Sequence, residues 1–395
     1  MIVMKPKILA FSLLFPNVKQ PAYGVFVYNR LNAIKKYCDV RVIAPIKKYP
    51  FKKGIFSKNS TAGQNHRSAN QLEVFHPEFT VIPRFFKWFD SISYWFSIRP
   101  VVKELINEKF NFDIIDVHWT YPDILAAYII SKQKNCPFIV TIRGKEALYI
   151  ENFSIRSFIL NALLRKANAL IVLSSELKSL LLKIGIPSEK IHVILNGVDS
   201  SVFRYIDMEQ ARKTLNIQKE GIILLSVGSL IEGKGHHELI KLMPDLLKKH
   251  NISLYIVGSV GPAGNFRAQL KELAKNTSPK NIHFIEEVNH QQLCYWYNSA
   301  DLFCLATKGE GCPNVVLESL SCGTPVVVTN VGAVKDIIVD GNNGFVAPDM
   351  TQIKSTINAA LNRNWNRMNI SNDMKEMTWD ICAKKVLSVY NRVIN

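Results

Sequence analysis

Short apolar runs rich in β-branched residues alternate with amphipathic stretches along the whole chain. The runs are apolar at successive positions rather than at every second one, which is typical of strands buried on both faces of a parallel sheet. The pattern predicts six strands in each half, at 7–12, 40–45, 112–118, 137–143, 169–173 and 191–195, then at 222–228, 253–257, 282–286, 301–305, 325–329 and 344–347. Predicted helices between them include 155–166, 236–250 and 315–322.

This alternation predicts the α/β class, with two doubly wound Rossmann-like domains that face a central cleft. We expect a first domain over 1–199 and a second over 200–378, with the boundary near the Asn-Gly-Val-Asp turn that ends at Asp199. Residues 379–395 have helical apolar spacing after the last predicted strand, so we expect them to pack back on the first domain. The polar stretch 50–70 predicts a long loop.

Length and composition exclude several classes of protein. A chain of 395 residues, 48% hydrophobic and 21% charged, is suited to two ordinary cores and not to a collagen-like, low-complexity or disulfide-scaffold protein. The start of the chain, with Lys5 and Lys7 before an apolar run, could be a signal peptide, but no small-residue cleavage site follows and a buried first strand explains the same residues. Seven cysteines without a CxxC pair favour reduced thiols and a cytoplasmic location.

The net charge of +17 is concentrated in the first half, where 28 Lys and Arg stand against 14 Asp and Glu in residues 1–200. Such an asymmetry predicts an anionic partner. Residues 47–58 and 84–99 mix basic and aromatic side chains, as membrane-interface segments do, although 84–99 could equally be a core helix. We expect peripheral association with the inner face of an anionic membrane, and no nucleic-acid partner, since no helix-turn-helix, RNP or KH signature occurs.

One strand-to-helix junction, Thr307 to Glu318, carries the most informative chemistry. Glu310 and Glu318 bracket the turn Gly311-Cys312-Pro313-Asn314, which opens a predicted helix. Gly311 permits close backbone approach and Pro313 suits a first helical turn, so the N–H groups from Cys312 to Val315 could bind a phosphate. Glu318 could accept hydrogen bonds from a ribose diol. Two surface glutamates beside an ordinary helix cap would be the plain alternative.

The stretch EGCPNVVLESLSCGTPVVVTNVGAVKDII resembles the donor-site signature of retaining GT-B glycosyltransferases of the family-4 type, the glycosyl transferases group 1. Asn196-Gly197-Val198-Asp199 and VGSLIEGKGHHELI resemble two further motifs of that family, in the same order. The subgroup that acts on teichuronic-acid-like or surface-polysaccharide intermediates is the nearest resemblance, because some of its members share the Gly-Ser-Leu at 228–230.

The resemblance implies roles for residues of the second domain. Lys234 would bind the donor diphosphate, Glu310 the sugar hydroxyls and Glu318 the ribose. Ser229 stands where the family usually has an arginine, so part of the usual phosphate clamp is absent.

In the first domain the resemblance implies that Gly24 admits the donor phosphates and that His118 lines the reaction centre. Arg143 and Glu146 stand where relatives often have histidine and aspartate, and Arg143 could bind an acceptor phosphate or pair with Glu146.

These resemblances imply a retaining, metal-independent hexosyltransferase that uses a UDP- or GDP-linked sugar and a lipid-linked or other glycan acceptor in cell-surface polysaccharide biosynthesis. No Asp-x-Asp pair occurs, which disfavours the metal-dependent GT-A class, and no other cofactor is expected. A nucleotide-sugar 2-epimerase of the same fold and a non-catalytic scaffold of a polysaccharide assembly complex remain as alternatives.

Overall fold

The computed structural model describes residues 5–49, 72–82, 87–144, 150, 154–217, 220–260 and 264–394. The chain divides into two compact units, the first formed by Met1–Asn196 with Trp379–Asn395 and the second by Gly197–Thr378. Each unit contains a parallel sheet covered by helices, which confirms the expected α/β class with two Rossmann-like units. The loop predicted over 50–70 lies outside the described residues.

The first unit is built on a seven-stranded sheet in the order β4-β2-β1-β6-β7-β8-β9, with every neighbouring pair parallel. Two further short strands, β3 and β5, form a separate parallel pair. All six strands predicted for this half are present. The bounds are β1 Lys7–Phe11, β2 Asp39–Ile43, β3 Ile46–Lys48, β4 Glu73–Phe75, β5 Glu78–Thr80, β6 Ile114–Val117, β7 Phe138–Ile142, β8 Ala169–Val172 and β9 Ile191–Val193.

Helices connect the strands of this sheet, and two of them begin after serines that cap them. The described helices before the second unit are α1 Val25–Ile34, α2 Lys87–Asn107, α3 Asp123–Lys134, α4 Ile155–Lys166 and α5 Ser175–Lys183. The hydroxyl of Ser154 accepts the N–H of Ser157 at the start of α4, as N-cap serines do. In α2, Tyr94 and Ile98 are buried in the core while Phe96 is 61% exposed, so the described side chains of this stretch are divided between core and surface.

The second unit has a six-stranded parallel sheet in the order β12-β11-β10-β13-β14-β15. Its strands are β10 Ile222–Val227, β11 Ile252–Val257, β12 Ile282–Ile285, β13 Leu302–Leu305, β14 Val326–Thr329 and β15 Gly344–Ala347. Its helices are α6 Met208–Thr214, α7 His236–Leu247, α8 Arg267–Thr277, α9 His290–Ser299, α10 Asn314–Ser321, α11 Val334–Ile337, α12 Ile353–Leu361 and α13 Arg367–Asp373. Pro244 lies inside α7 without ending it.

The last helix, α14 (Trp379–Ile394), belongs to the first unit although the second unit precedes it in the chain. It packs on α1, and its buried face joins the core that surrounds Ile8 and Val27. The side chains that form this face are Cys382, Ala383, Val386, Val389 and Tyr390. At the surface, the hydroxyl of Tyr37 donates to Asp380 at 2.9 Å. Among the described residues no helix has the length and apolar character needed to span a membrane.

Each sheet contains one point where the strand order reverses. In the first unit it lies between β1 and β6, and in the second between β10 and β13. The connections that leave two such neighbouring strands run to opposite sides, which leaves a crevice at their carboxyl ends. In the second unit the crevice is narrow at Gly235, whose φ is 71° and where a Cβ atom would lie 1.7 Å from the carbonyl oxygen of Ala306.

This contact predicts that Gly235→Ala destabilises the second unit. The added Cβ would overlap backbone and occupy a left-handed conformation, so we expect a loss of about 3 kcal/mol in the free energy of unfolding. Gly233→Ala is the matched control, because nothing lies within 4 Å of its Cβ position. Denaturant unfolding of both variants checks the prediction, and equal midpoints would contradict it.

Candidate active site

At the switch point of the second unit, the turn between β10 and α7 is bonded to the segment that follows β13. The hydroxyl of Thr307 and the N–H of Lys308 donate to the carbonyl of Gly233 at 3.0 and 3.1 Å. The hydroxyl of Thr329, at the end of β14, in turn donates to the carbonyl of Thr307 at 2.6 Å. Three strand ends therefore hold this turn in one place.

Lys234 and Glu310 form an ion pair across the two loops. Their side chains are 25% and 17% exposed, so both groups are largely withdrawn from water yet remain accessible at the crevice. When a ligand enters, the ammonium group of Lys234 can leave Glu310 and bind an anionic group of the ligand. The carboxylate of Glu310 can then accept hydrogen bonds from hydroxyl groups of the same ligand. The structure thus brings together two of the residues predicted for the donor site.

The loop after Glu310 is held against the turn that follows β14. The N–H of Ala333 donates to the carbonyl of Gly311 at 2.9 Å, and a Cβ on Gly332 would lie 2.2 Å from the carbonyl oxygen of Glu310. Helix α10 then begins directly after its N-cap Pro313, whose side chain makes no capping hydrogen bond. The Gly311 to Val315 segment therefore lies at the positive end of a helix dipole, as the sequence predicts.

Glu318 lies on the first turns of α10 and accepts a hydrogen bond from the hydroxyl of Tyr297 at 2.9 Å. Burial raises the pKa of Glu318 to about 7, and the Tyr297 hydrogen bond only partly offsets this effect. The carboxyl group therefore changes its charge near neutral pH. Tyr297 was not predicted, because an aromatic residue on an amphipathic helix is ordinarily only a core residue.

A second buried group of this region, His236, opens α7 next to Lys234. Its Nδ1 lies 3.0 Å from the hydroxyl of Ser226, and burial lowers its pKa to about 4, with the charge of Lys234 acting in the same direction. The imidazole is therefore neutral at physiological pH. Ser229, two residues after the end of β10, is partly exposed beside the same turn.

In the first unit, the residues predicted for the crevice lie at the ends of β1, β6 and β7. Gly24 has a φ of 72° at the N-terminus of α1, and a Cβ there would lie 2.5 Å from the backbone of Leu14. His118 follows β6 and is fully buried, with its Nε2 2.9 Å from Oδ2 of Asp116. Burial lowers the pKa of His118 more than Asp116 raises it, so the imidazole is neutral.

Arg143 follows β7 and is bonded to His118 by two groups of its guanidinium. Its Nε donates to the backbone carbonyl of His118 at 3.1 Å, and its Nη2 lies 2.9 Å from Nδ1 of the imidazole. The guanidinium also lies 5.0 Å from the ring centre of Phe26. Glu146, the other predicted acceptor-side residue, lies outside the described residues.

Two family models match the chain, one in each unit. The model described as Glycosyltransferase Family 4 matches residues 24–202, and the model described as Glycosyl transferases group 1 matches residues 207–377. Together they account for most of the chain. The protein belongs to the GT-B glycosyltransferases of the family-4 type, as the resemblance implies.

Among the relatives, an uncharacterized glycosyltransferase of Methanocaldococcus jannaschii is 32% identical over 52% of this chain and 54% of its own. A candidate teichuronic acid biosynthesis glycosyltransferase, TuaC of Bacillus subtilis, is 25% identical over 88% of this chain and 86% of its own. The alignment with the first thus spans about half of that relative, whereas the alignment with the second spans most of it.

Solved structures show the same fold over nearly the whole chain. Sucrose-phosphate synthase from Thermosynechococcus elongatus has a TM-score of 0.76 at 17% identity and covers 98% of this chain and 99% of its own. Anabaena HepE in complex with UDP and glucose has a TM-score of 0.71 at 16% identity, with the same coverage. Both likenesses confirm the GT-B architecture.

The raised pKa of Glu318 predicts a pH-dependent stability of the free protein. Between the ordinary value near 4.5 and the folded value near 7, the folded state binds a proton that the unfolded state has lost, so this stabilisation is full below about pH 4.5 and disappears as the pH rises through about 7. Glu318→Gln should therefore raise the melting temperature at pH 8 relative to the parent and have little effect at pH 5. Thermal unfolding across this range is the measurement.

Glu189→Gln, at an exposed position of the first unit, is the matched control and should leave the pH profile unchanged. A Glu318→Gln variant whose melting temperature follows the parent's at every pH would show that Glu318 does not titrate near 7.

Proposed function

We propose that the protein is a retaining glycosyltransferase that moves a hexosyl group from a nucleotide sugar to a lipid-linked or other glycan acceptor. The observation that supports this most directly is the Lys234–Glu310 pair, held beside the N-terminus of α10 at the switch point of the second unit. Its two charges match the two ends of a sugar diphosphate, since an ammonium group binds phosphate and a carboxylate accepts sugar hydroxyls.

In the proposed reaction the bond between the anomeric carbon and the diphosphate oxygen breaks while the acceptor oxygen bonds to the same carbon. Departure and attack take place on one face of the sugar, and the leaving phosphate accepts the proton of the acceptor hydroxyl. Lys234 and the positive end of α10 stabilise the charge that develops on the diphosphate, which would make the transfer independent of a metal ion. Ser229 can donate one further hydrogen bond to the phosphates.

Glu318 would hold the ribose of the donor. A carboxylate accepts hydrogen bonds from both hydroxyls of a ribose diol, and Tyr297 holds Glu318 from the other side. Because the free carboxyl has a pKa of about 7, donor binding would shift it toward the ionised form. A UDP- or GDP-linked sugar is proposed. Anabaena HepE, with the same fold, is known in complex with UDP.

Residues of the first unit would serve the acceptor and the sugar. We propose that Gly24 leaves room for the donor phosphates and that His118 lies at the reaction centre. Arg143 and Glu146 would contact the acceptor. A buried and neutral His118 that is bonded to Arg143 fits a positioning role better than that of a freely exchanging base.

The likeness to TuaC supports an acceptor in cell-surface polysaccharide biosynthesis, and a lipid-linked acceptor would require contact with the inner face of the membrane. Helix α4 offers a surface for this contact. Ile155, Phe158 and Ile159 are 74%, 76% and 41% exposed on one side of the helix, and Arg165 and Lys166 are exposed at its end. With no acidic residue in α4, this combination is complementary to an anionic bilayer.

We expect donor binding to be visible as thermal stabilisation. The panel to be tested contains UDP, GDP, ADP and their hexose conjugates, each with and without magnesium. We expect the compounds of one nucleotide family to stabilise the protein, by about 2.7 kcal/mol at a hundredfold excess over the dissociation constant. Lys234→Met should abolish most of this shift, whereas Lys308→Met, which changes an exposed lysine of the neighbouring loop, should retain it. Release of free nucleotide without acceptor modification would contradict the transferase.

Conversion of the donor sugar in the absence of any acceptor would instead support the epimerase. If no compound of the panel raises the melting temperature of the folded protein, the result would favour a non-catalytic scaffold.

We also expect the protein to sediment with vesicles of equal parts phosphatidylglycerol and phosphatidylcholine, and not with pure phosphatidylcholine. The double variant Ile155→Ser, Phe158→Ser should lower this binding at least tenfold, because burial of each apolar side chain contributes roughly 2 kcal/mol. The control is Val339→Ser, Met368→Ser, which alters two side chains of the second unit that are 57% and 58% exposed. Equal binding by both double variants would exclude α4 as the contact surface.

A further inference from the structure

A line of four buried side chains crosses the first unit from its last helix to the crevice of its sheet. Tyr390 of α14 donates its hydroxyl proton to Oδ2 of Asp116 in β6. The same carboxylate oxygen lies 2.9 Å from Nε2 of His118, whose Nδ1 lies 2.9 Å from Nη2 of Arg143. The first three side chains are 0% exposed and Arg143 is 6% exposed.

The donors in this line fix the protonation of His118. A guanidinium can only donate, so Nδ1 of His118 must be the unprotonated nitrogen that accepts from Arg143. The ring proton is therefore on Nε2, the nitrogen that faces Asp116. The guanidinium of Arg143 is thus held to His118 at two points, the backbone carbonyl and Nδ1 of the ring, and the second contact depends on the position of the imidazole.

Asp116 is the centre of this arrangement, and its charge depends on the groups around it. Burial alone would raise its pKa, but His118, Tyr390 and Arg30 together lower the pKa below its ordinary value. The titratable and charged groups that face Asp116 or continue the line come from five parts of the first unit. They are His118 after β6, Tyr390 of α14, Arg30 of α1, Cys38 before β2 and Arg143 after β7.

We propose that Tyr390 is a positioning residue for the transfer reaction: its hydroxyl holds the Asp116 carboxylate ionised and in place, and thereby holds the His118 imidazole against the Arg143 guanidinium at the crevice. The proposal rests on the proposed function, because it assigns an effect on the reaction to a residue of the C-terminal helix. For histidines that bind metals, removal of the group that orients the ring commonly lowers affinity or activity by about 10-fold to 100-fold, and we expect the lower end of that range for Tyr390.

The effect of the hydroxyl follows from simple electrostatics. In Tyr390→Phe the ring still fills its place in the core, but Asp116 loses a donor to its ionised form, so its pKa rises. Once Asp116 is protonated its charge no longer attracts Nε2 of His118. The imidazole is then held by Arg143 alone, and it can turn away from the guanidinium. Activity should then be lost at a higher pH than in the parent.

The test compares Tyr390→Phe with Tyr37→Phe. Each variant removes a tyrosine hydroxyl that donates to an aspartate between α14 and the rest of the first unit, but the Tyr37–Asp380 bond lies near the surface and outside the buried line. With Tyr390→Phe we expect the rate constant for sugar transfer to fall about tenfold at neutral pH, with the acidic limb of its pH profile shifted upward. Nucleotide binding, measured by thermal shift with UDP and GDP, should be unchanged, and Tyr37→Phe should match the parent throughout.

A second readout does not depend on activity. Nitrogen-15 spectra of the imidazole of His118, assigned by its loss in His118→Gln, should show a neutral ring with the proton on Nε2 in the parent and in Tyr37→Phe, and a changed tautomer balance or titration in Tyr390→Phe. Identical His118 signals in both tyrosine variants would overturn the proposal. If the parent transfers no sugar, the proposed function fails, while the spectra still decide whether Tyr390 controls His118.

Discussion

The reversal of strand order in each sheet is the constraint on which the rest of the structure depends. Between β10 and β13 the chain leaves two neighbouring strands toward opposite sides, and the crevice that results is narrow where the turn before α7 is bonded to the segment after β13. Gly235 makes this close approach possible, because a Cβ at this position would lie 1.7 Å from the carbonyl oxygen of Ala306. The closeness of these backbones is what brings Lys234 to Glu310.

Burial of a carboxylate in either crevice costs free energy, because the charged group loses its contact with water. Hydrogen-bond donors next to the carboxylate offset part of that cost. Glu318 has one such donor, Tyr297, and its pKa remains near 7. Asp116 has contacts with Tyr390 and His118, and its pKa is lowered in spite of complete burial. Neighbouring positive charges together with hydrogen-bond donors thus separate a carboxyl group that stays ionised from one that can change its charge.

The strands and the α/β class could be predicted because buried parallel strands are apolar at every position. The residues proposed for the second-unit site could also be predicted, since Lys234, Glu310 and Glu318 lie at junctions between predicted strands and helices. The tyrosines that donate to buried carboxylates could not be predicted. Tyr297 and Tyr390 have the helical spacing of core residues, and their hydroxyls bond to carboxylates 21 and 274 positions away. Local sequence patterns carry no information on such distant pairs.

Helix α14 has a consequence for the way the protein is made. The first unit begins at the first strand, but its core includes Val386, Val389 and Tyr390 from the end of the chain. A ribosome therefore completes the whole second unit before it releases the residues that cover α1. During synthesis the second unit can fold as a continuous segment, whereas the first can cover the apolar face of α1 only after α14 has been made.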